Sequence, residues 1–135
     1  MQQSIRNQFD KVYYEADFDT ENNWVVVNCN GELTLTDIQN GALAFAELFE
    51  ISNTTKVLND TRLVVGEFAD LKHWTDVAHI KVLSEMGLKY YAHVTEDRNN
   101  RQLVALTSSL LSQGITYEVF NSVKKAKTWL TQFDN

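Results

Sequence analysis

Lys56-Val57-Leu58-Asn59-Asp60-Thr61-Arg62 is the stretch whose reading decides the fold. Lys56 to Leu58 reads as the end of a buried central strand, because its apolar residues belong inside a sheet. Asn59, Asp60 and Thr61 arrive together and read as its C-terminal tip, where a strand opens into a loop. In open α/β sheets that edge is where ligands and partners usually bind.

Upstream, Ile38, Ala42, Phe45, Ala46 and Phe49 recur at helical spacing. Thr36-Asp37-Ile38-Gln39 fits a capping box with Thr36 at the N-cap, so a helix is expected to about Glu50. Before it, Lys11–Ala16 and Trp24–Asn30 are rich in β-formers and flank the turn residues Asp19-Thr20-Glu21-Asn22-Asn23. These form a hairpin. Residues 1–10 are polar apart from Ile5 and Phe9 and are expected to be poorly ordered.

Downstream, Leu71, Trp74, Ala78 and Val82 make the stripe of a second helix from near Phe68, with Gly87 as its C′ residue. Leu88–Val94 is a strand. Asp97 is placed to cap a helix carrying Leu103, Leu106, Leu110 and Leu111, ended by Gly114. Ile115–Phe120 is the last strand, and Ser122 caps a helix that buries Ala126, Trp129, Leu130 and Phe133. The order is ββαβαβαβα. It predicts one α/β domain over 11–135, with a five-stranded mixed, mostly parallel sheet, an N-terminal hairpin and about four helices.

The chain of 135 residues is 44% hydrophobic and 22% charged, enough for one real core. A net charge of −6 argues against a nucleic-acid surface and against docking on anionic membranes. The local cluster Lys124, Lys125 and Lys127 reads as a solvated helix face. A single cysteine excludes an internal disulfide, and no stretch approaches a membrane span or an apolar signal region. The expected setting is cytoplasmic.

Taken together, the strand end Val57-Leu58-Asn59-Asp60-Thr61 and the closing block Tyr117–Leu130, with its Ala126-x-x-Trp129-Leu130 ending, resemble the STAS superfamily of bacterial anti-sigma-factor antagonists. They are most similar to its stand-alone branch of small bacterial proteins, which is grouped with the CRAL-TRIO lipid-binding fold. The resemblance spans roughly residues 11 to 133 and implies a regulatory or protein-interaction role. It departs at one point. The antagonists carry a phosphorylatable serine opening the helix after the central strand, whereas Gly66-Glu67-Phe68-Ala69-Asp70 has no hydroxyl.

Chemistry-bearing motifs are few. Asp70, His73, Asp76 and His79 are spaced by threes, and each step turns about 300°, so their side chains drift around the helix and cannot converge on one ion. A solvated face is the simpler reading, and no metal or other cofactor is expected. Cys29 sits in a strand beside two asparagines and reads as a small buried hydrophobe. No phosphate loop or nucleophile elbow occurs. The pairs Tyr13-Tyr14 and Tyr90-Tyr91 put one ring on each face of a strand. No catalytic residue is assigned.

What remains is the polar tip and the loop after it. Asp60 or Thr61 caps the local backbone, or Asn59, Asp60, Thr61 and Arg62 form a small polar binding site. Leu63, Val64, Val65 and Phe68 are then either a contact surface or a flap over the core. The expected function is a non-enzymatic interaction module, binding a protein partner or a second copy of itself. The alternatives are a binder of a lipid or other small apolar ligand, and an unrecognised enzyme.

Overall fold

The computed structural model describes residues 2–65, 77–96 and 101–134, and the side chains among these except 77–80 and 101–106. The elements run β1 (Gln2–Arg6), β2 (Val12–Asp19), β3 (Trp24–Glu32), α1 (Leu35–Ser52), β4 (Lys56–Val65), α2 (Val77–Glu85), β5 (Tyr90–Val94), α3 (Arg101–Ser112), β6 (Thr116–Phe120) and α4 (Val123–Leu130). The strands lie side by side in sequence order in one six-stranded sheet. The β1/β2 and β2/β3 pairs are antiparallel, and β3 through β6 are parallel.

The expected α/β architecture holds, with one more strand than the expected five. The segment read as poorly ordered contains β1, which pairs along β2 from Gln2 with Asp17 to Arg6 with Val12. Apart from Ile5 its side chains are weak β-formers. The backbone explains the strand, because β2 would otherwise present an open row of hydrogen-bonding groups. The Tyr14 hydroxyl donates to Gln3 Oε1 at 3.1 Å, and Ile5 packs on the core.

Local signals set most boundaries. Asp19 Oδ1 accepts from the amides of Glu21 and Asn22, and Asn23 adopts φ 60°, so the hairpin turn forms as read. The cap of α1 is Thr34, two residues before the expected Thr36. Thr34 Oγ1 accepts from Asp37 N–H, and Asp37 Oδ2 accepts from Thr34 N–H. Both threonines fit the pattern, and a carboxylate in the first turn favours the one that recruits Asp37. Ser122 caps α4 as expected. Gly87 and Gly114 take φ 98° and 82° just past α2 and α3, conformations in which a side chain would be strained. Asp97, Leu71 and Trp74 lie outside the described residues, as do the side chains of Ala78, His79, Leu103 and Leu106.

The sheet divides two cores. On one face Phe45, Leu48 and Phe49 of α1, Leu83 of α2 and Leu110 of α3 pack on Val25, Val57 and Tyr117. On the other, Ala126 and Leu130 of α4 cover Trp24, Leu58, Ala92 and Val94. Crossovers of one hand advancing in one direction put three helices on one face, leaving α4 to close the other. Tyr90 stacks on Phe133 with ring centroids 4.1 Å apart on the α4 side, while Tyr91 points to the opposite face. Tyr13 and Tyr14 do not divide in that way. Both are buried in the same cluster, because the β1/β2 register shifts at Ile5/Arg6.

Candidate functional site

The expected polar tip lies in the middle of a strand. β4 continues to Val65, and its outer part pairs with β3 from Asn30 with Leu63 to Glu32 with Val65. Leu63, Val64 and Val65 are therefore strand residues and not a loop. The backbone of Leu63–Val65 finds its partners on β3, which itself runs on to Glu32. A β-bulge joins the two halves. Asn28 faces Asp60 and Asn30 faces Leu63, so two residues of β4 stand opposite Cys29.

Asp60 holds this bulge. Its Oδ1 accepts from Arg62 N–H at 3.1 Å and from Arg62 Nε at 3.0 Å, and its Oδ2 accepts from the guanidinium at 2.8 Å. Two of these are the side-on contacts of an Arg–carboxylate pair within one strand, and the third caps the displaced backbone. The extra residue also re-phases the strand. Val57, Asn59 and Thr61 face the three-helix side before the bulge, and Val64 does so after it.

Asn59 and Thr61 are buried, and partners from neighbouring strands meet them. Parallel register sets Asn59 beside His93 and Val57 beside Tyr91, and β6 then adds Tyr117 beside Tyr91. Asn59 Nδ2 donates to the Tyr91 hydroxyl at 2.8 Å. His93 joins two groups, Thr61 Oγ1 at 2.8 Å from Nε2 and the Tyr117 hydroxyl at 2.5 Å from Nδ1. Burial holds the imidazole well below its ordinary value, at about 4, against the opposing pull of Asp60. It is therefore neutral, with one N–H and one lone pair. One arrangement satisfies every proton: Tyr117 O–H donates to Nδ1, Nε2–H donates to Thr61, and Thr61 O–H donates to the Val94 carbonyl at 3.4 Å.

The same burial pushes Tyr91 up to about 12, against the opposing hydrogen bond from Asn59, and raises Tyr117 further, where the neighbouring Tyr91 adds to the effect. Cys29 is driven up to about 12 by burial and by the charge of Asp60, which makes it the inert small hydrophobe expected of it. A hydroxyl, an imidazole and an orienting phenol in a row have the connectivity of a nucleophile, base and positioning group. Here the base is desolvated to about 4, and Thr61, at 8% exposure, already gives its proton to a carbonyl. The row has the chemistry of a structural network.

Two buried atoms stand out. Among the described residues, Asn59 Oδ1 has no hydrogen-bond partner, and neither does Trp24 Nε1 on the opposite face. An unmet buried acceptor costs about 1–3 kcal/mol.

Outside, the outer half of β4 exposes Leu63 (64%) and Val65 (58%). They alternate with half-buried Val64, so both point to the α4 side of the sheet, beyond the cover of that helix. Phe68 and the Gly66–Asp70 stretch lie outside the described residues, as do His73 and Asp76. Among the described residues no group of three or more His, Cys, Asp or Glu side chains could hold a metal. No described helix is long and apolar enough to cross a membrane. A groove between the β1–β2 turn and the start of α1 is lined by Arg6, Phe9, Lys11, Gly31, Glu32 and Asp37 among others, with charges of both signs. His93 was legible only as a strand residue. Its tie to Thr61 spans 32 positions, which no local pattern reveals.

No protein-family model matches the chain, and no curated protein does. Among solved structures it matches an anti-sigma factor antagonist from Mycobacterium paratuberculosis, with a TM-score of 0.55 and 14% identity, covering 96% of this chain and 94% of that one. At that identity the likeness is one of fold, and it establishes the STAS-like architecture read from the sequence.

Proposed function

We propose that this chain is a regulatory interaction module that binds another protein through the outer half of β4, without catalytic chemistry of its own. The carrying observation is the pair Leu63 and Val65. Both are exposed on one side of a strand that belongs to the middle of the sheet, next to the Asp60–Arg62 pair. Covering two such side chains contributes about 1.5–3 kcal/mol each to association. The fold match to an anti-sigma factor antagonist supports the same reading, since that protein is named for acting on another protein. The serine switch is not part of the proposal, because Gly66–Asp70 carries no hydroxyl.

Of the eight residues first grouped as a site, Arg62, Leu63 and Val65 are the ones this surface uses. Asn59, Asp60 and Thr61 are buried, Val64 packs inward, and Phe68 is not described. A lipid or other small apolar ligand is the weaker alternative, because the interior behind the central strand presents Asn59, Thr61 and His93.

The test is the double variant Leu63→Ser/Val65→Ser. Each change is expected to alter stability by no more than about 0.5 kcal/mol, as at other surface positions. Self-association by sedimentation, capture of a host protein and hydrogen exchange at residues 62–65 are compared with the wild type. Loss of binding together with loss of exchange protection at 62–65, at near-constant melting temperature, is expected. Unchanged binding, or collapse of the fold, refutes the surface.

A further inference from the structure

Hydrogen-bond bookkeeping inside the three-helix face leaves a particular deficit. The Thr61–His93–Tyr117 row is closed, because each of its protons has an acceptor. Cys29, beside the bulge, remains a protonated thiol and a weak partner. The remaining pair is Asn59 and Tyr91. Asn59 gives one amide proton to the Tyr91 hydroxyl at 2.8 Å, and its Oδ1 accepts from no described group. The Tyr91 hydroxyl accepts that bond and donates to no described group. Turning the amide over exchanges the roles and leaves its NH2 without an acceptor. As the amide stands, the pair lacks one donor to Oδ1 and one acceptor for the Tyr91 proton; turned over, it lacks acceptors for the amide protons, so both orientations leave buried polar capacity unmet.

We propose that Asn59 and Tyr91 form a buried binding site for one neutral hydroxyl group, which donates to Asn59 Oδ1 and accepts from the Tyr91 hydroxyl. A hydroxyl has both capacities in one atom. The described surroundings favour a neutral group over a charged one: His93 is neutral, the Asp60 carboxylate is on the opposite side of the strand and is tied to Arg62, and among the described residues no buried charged side chain faces this side. The position agrees with the chemistry, since both residues lie on adjacent parallel strands in the middle of an α/β sheet. The hydroxyl comes from a single water or from a small neutral alcohol. This inference concerns the interior and does not depend on the surface of β4.

The test uses the full chain. Water is the first probe, followed by nuclear Overhauser transfer to the Asn59 side-chain amide and by a high-resolution diffraction structure. 2-Propanol, soaked into the same crystals, is the second. Expected is an oxygen within hydrogen-bond distance of both Asn59 and Tyr91, lost in Tyr91→Phe, which keeps the ring. If that oxygen is unchanged by 2-propanol, the source is water. If the alcohol replaces it with its oxygen in the same place, the site admits ligand hydroxyls. A dry Asn59 Oδ1, or one accepting from a protein group, overturns the proposal. Should Tyr91→Phe fail to fold, the wild-type structure alone decides.

Discussion

The two halves of β4 invert the usual distribution of side chains. Its inner half, Lys56–Thr61, is buried throughout, yet contains Lys56, Asn59, Asp60 and Thr61. Its outer half exposes Leu63 and Val65. Hydropathy explains neither half. Each polar residue inside has a specific neighbour: Lys56 lies over the Trp24 ring at 6.0 Å, Asp60 grips Arg62, and Asn59 and Thr61 reach Tyr91 and His93. Leu63 and Val65 pair by backbone alone, and nothing in the described chain covers their side chains. Position along one strand decides whether a side chain serves the core or a contact surface, and the bulge at Thr61–Arg62 marks the change.

The largest expected effect breaks the inner half. Leu58 is 1% exposed and locks β4 to α4. Leu58→Ala should cost about 2–5 kcal/mol in urea unfolding, against almost nothing for the equivalent truncation at Leu63. Equal costs would erase the distinction between the halves.

Next comes pH, through His93. Its folded value of about 4 lies below the ordinary 6.5, so the unfolded chain takes up the proton first as pH falls. The contribution is fully present above about 6.5 and is lost as pH drops towards about 4. It amounts to about 3 kcal/mol over that window. His93→Gln, which keeps a donor and an acceptor, should flatten the slope between wild type and variant, measured as unfolding free energy against pH. Parallel curves would mean that the imidazole is not the titrating group.

The smallest effect concerns the boundary itself. Asp60→Ala removes the acceptor that caps Arg62 N–H and should cost about 1–2 kcal/mol. Hydrogen exchange should rise at Arg62 and in the following residues, with Lys56–Leu58 unaffected. A uniform rise along β4 would show that the bulge does not separate two regions.

Much of this was readable in the chain. Strand and helix periods, the Asp19 turn, Gly87, Gly114 and the Ser122 cap are local chemistry, and local chemistry is written in neighbouring residues. The alternation of Asn59 with Thr61 and of Tyr91 with His93 was also there, as two separate parities. What joined them was register, which depends on how far one strand slides against another and has no local signature. The same holds for β1, a strand made by an available edge, and for the length of β4, set by where β3 ends. The sequence by itself determined most of the elements and, away from the two β-bulges, which side chains share a face, because those follow from backbone geometry within a few residues. Only the tertiary structure decided that Asn59, Asp60 and Thr61 lie inside and Leu63 and Val65 outside, because burial is a property of what the rest of the chain places against them.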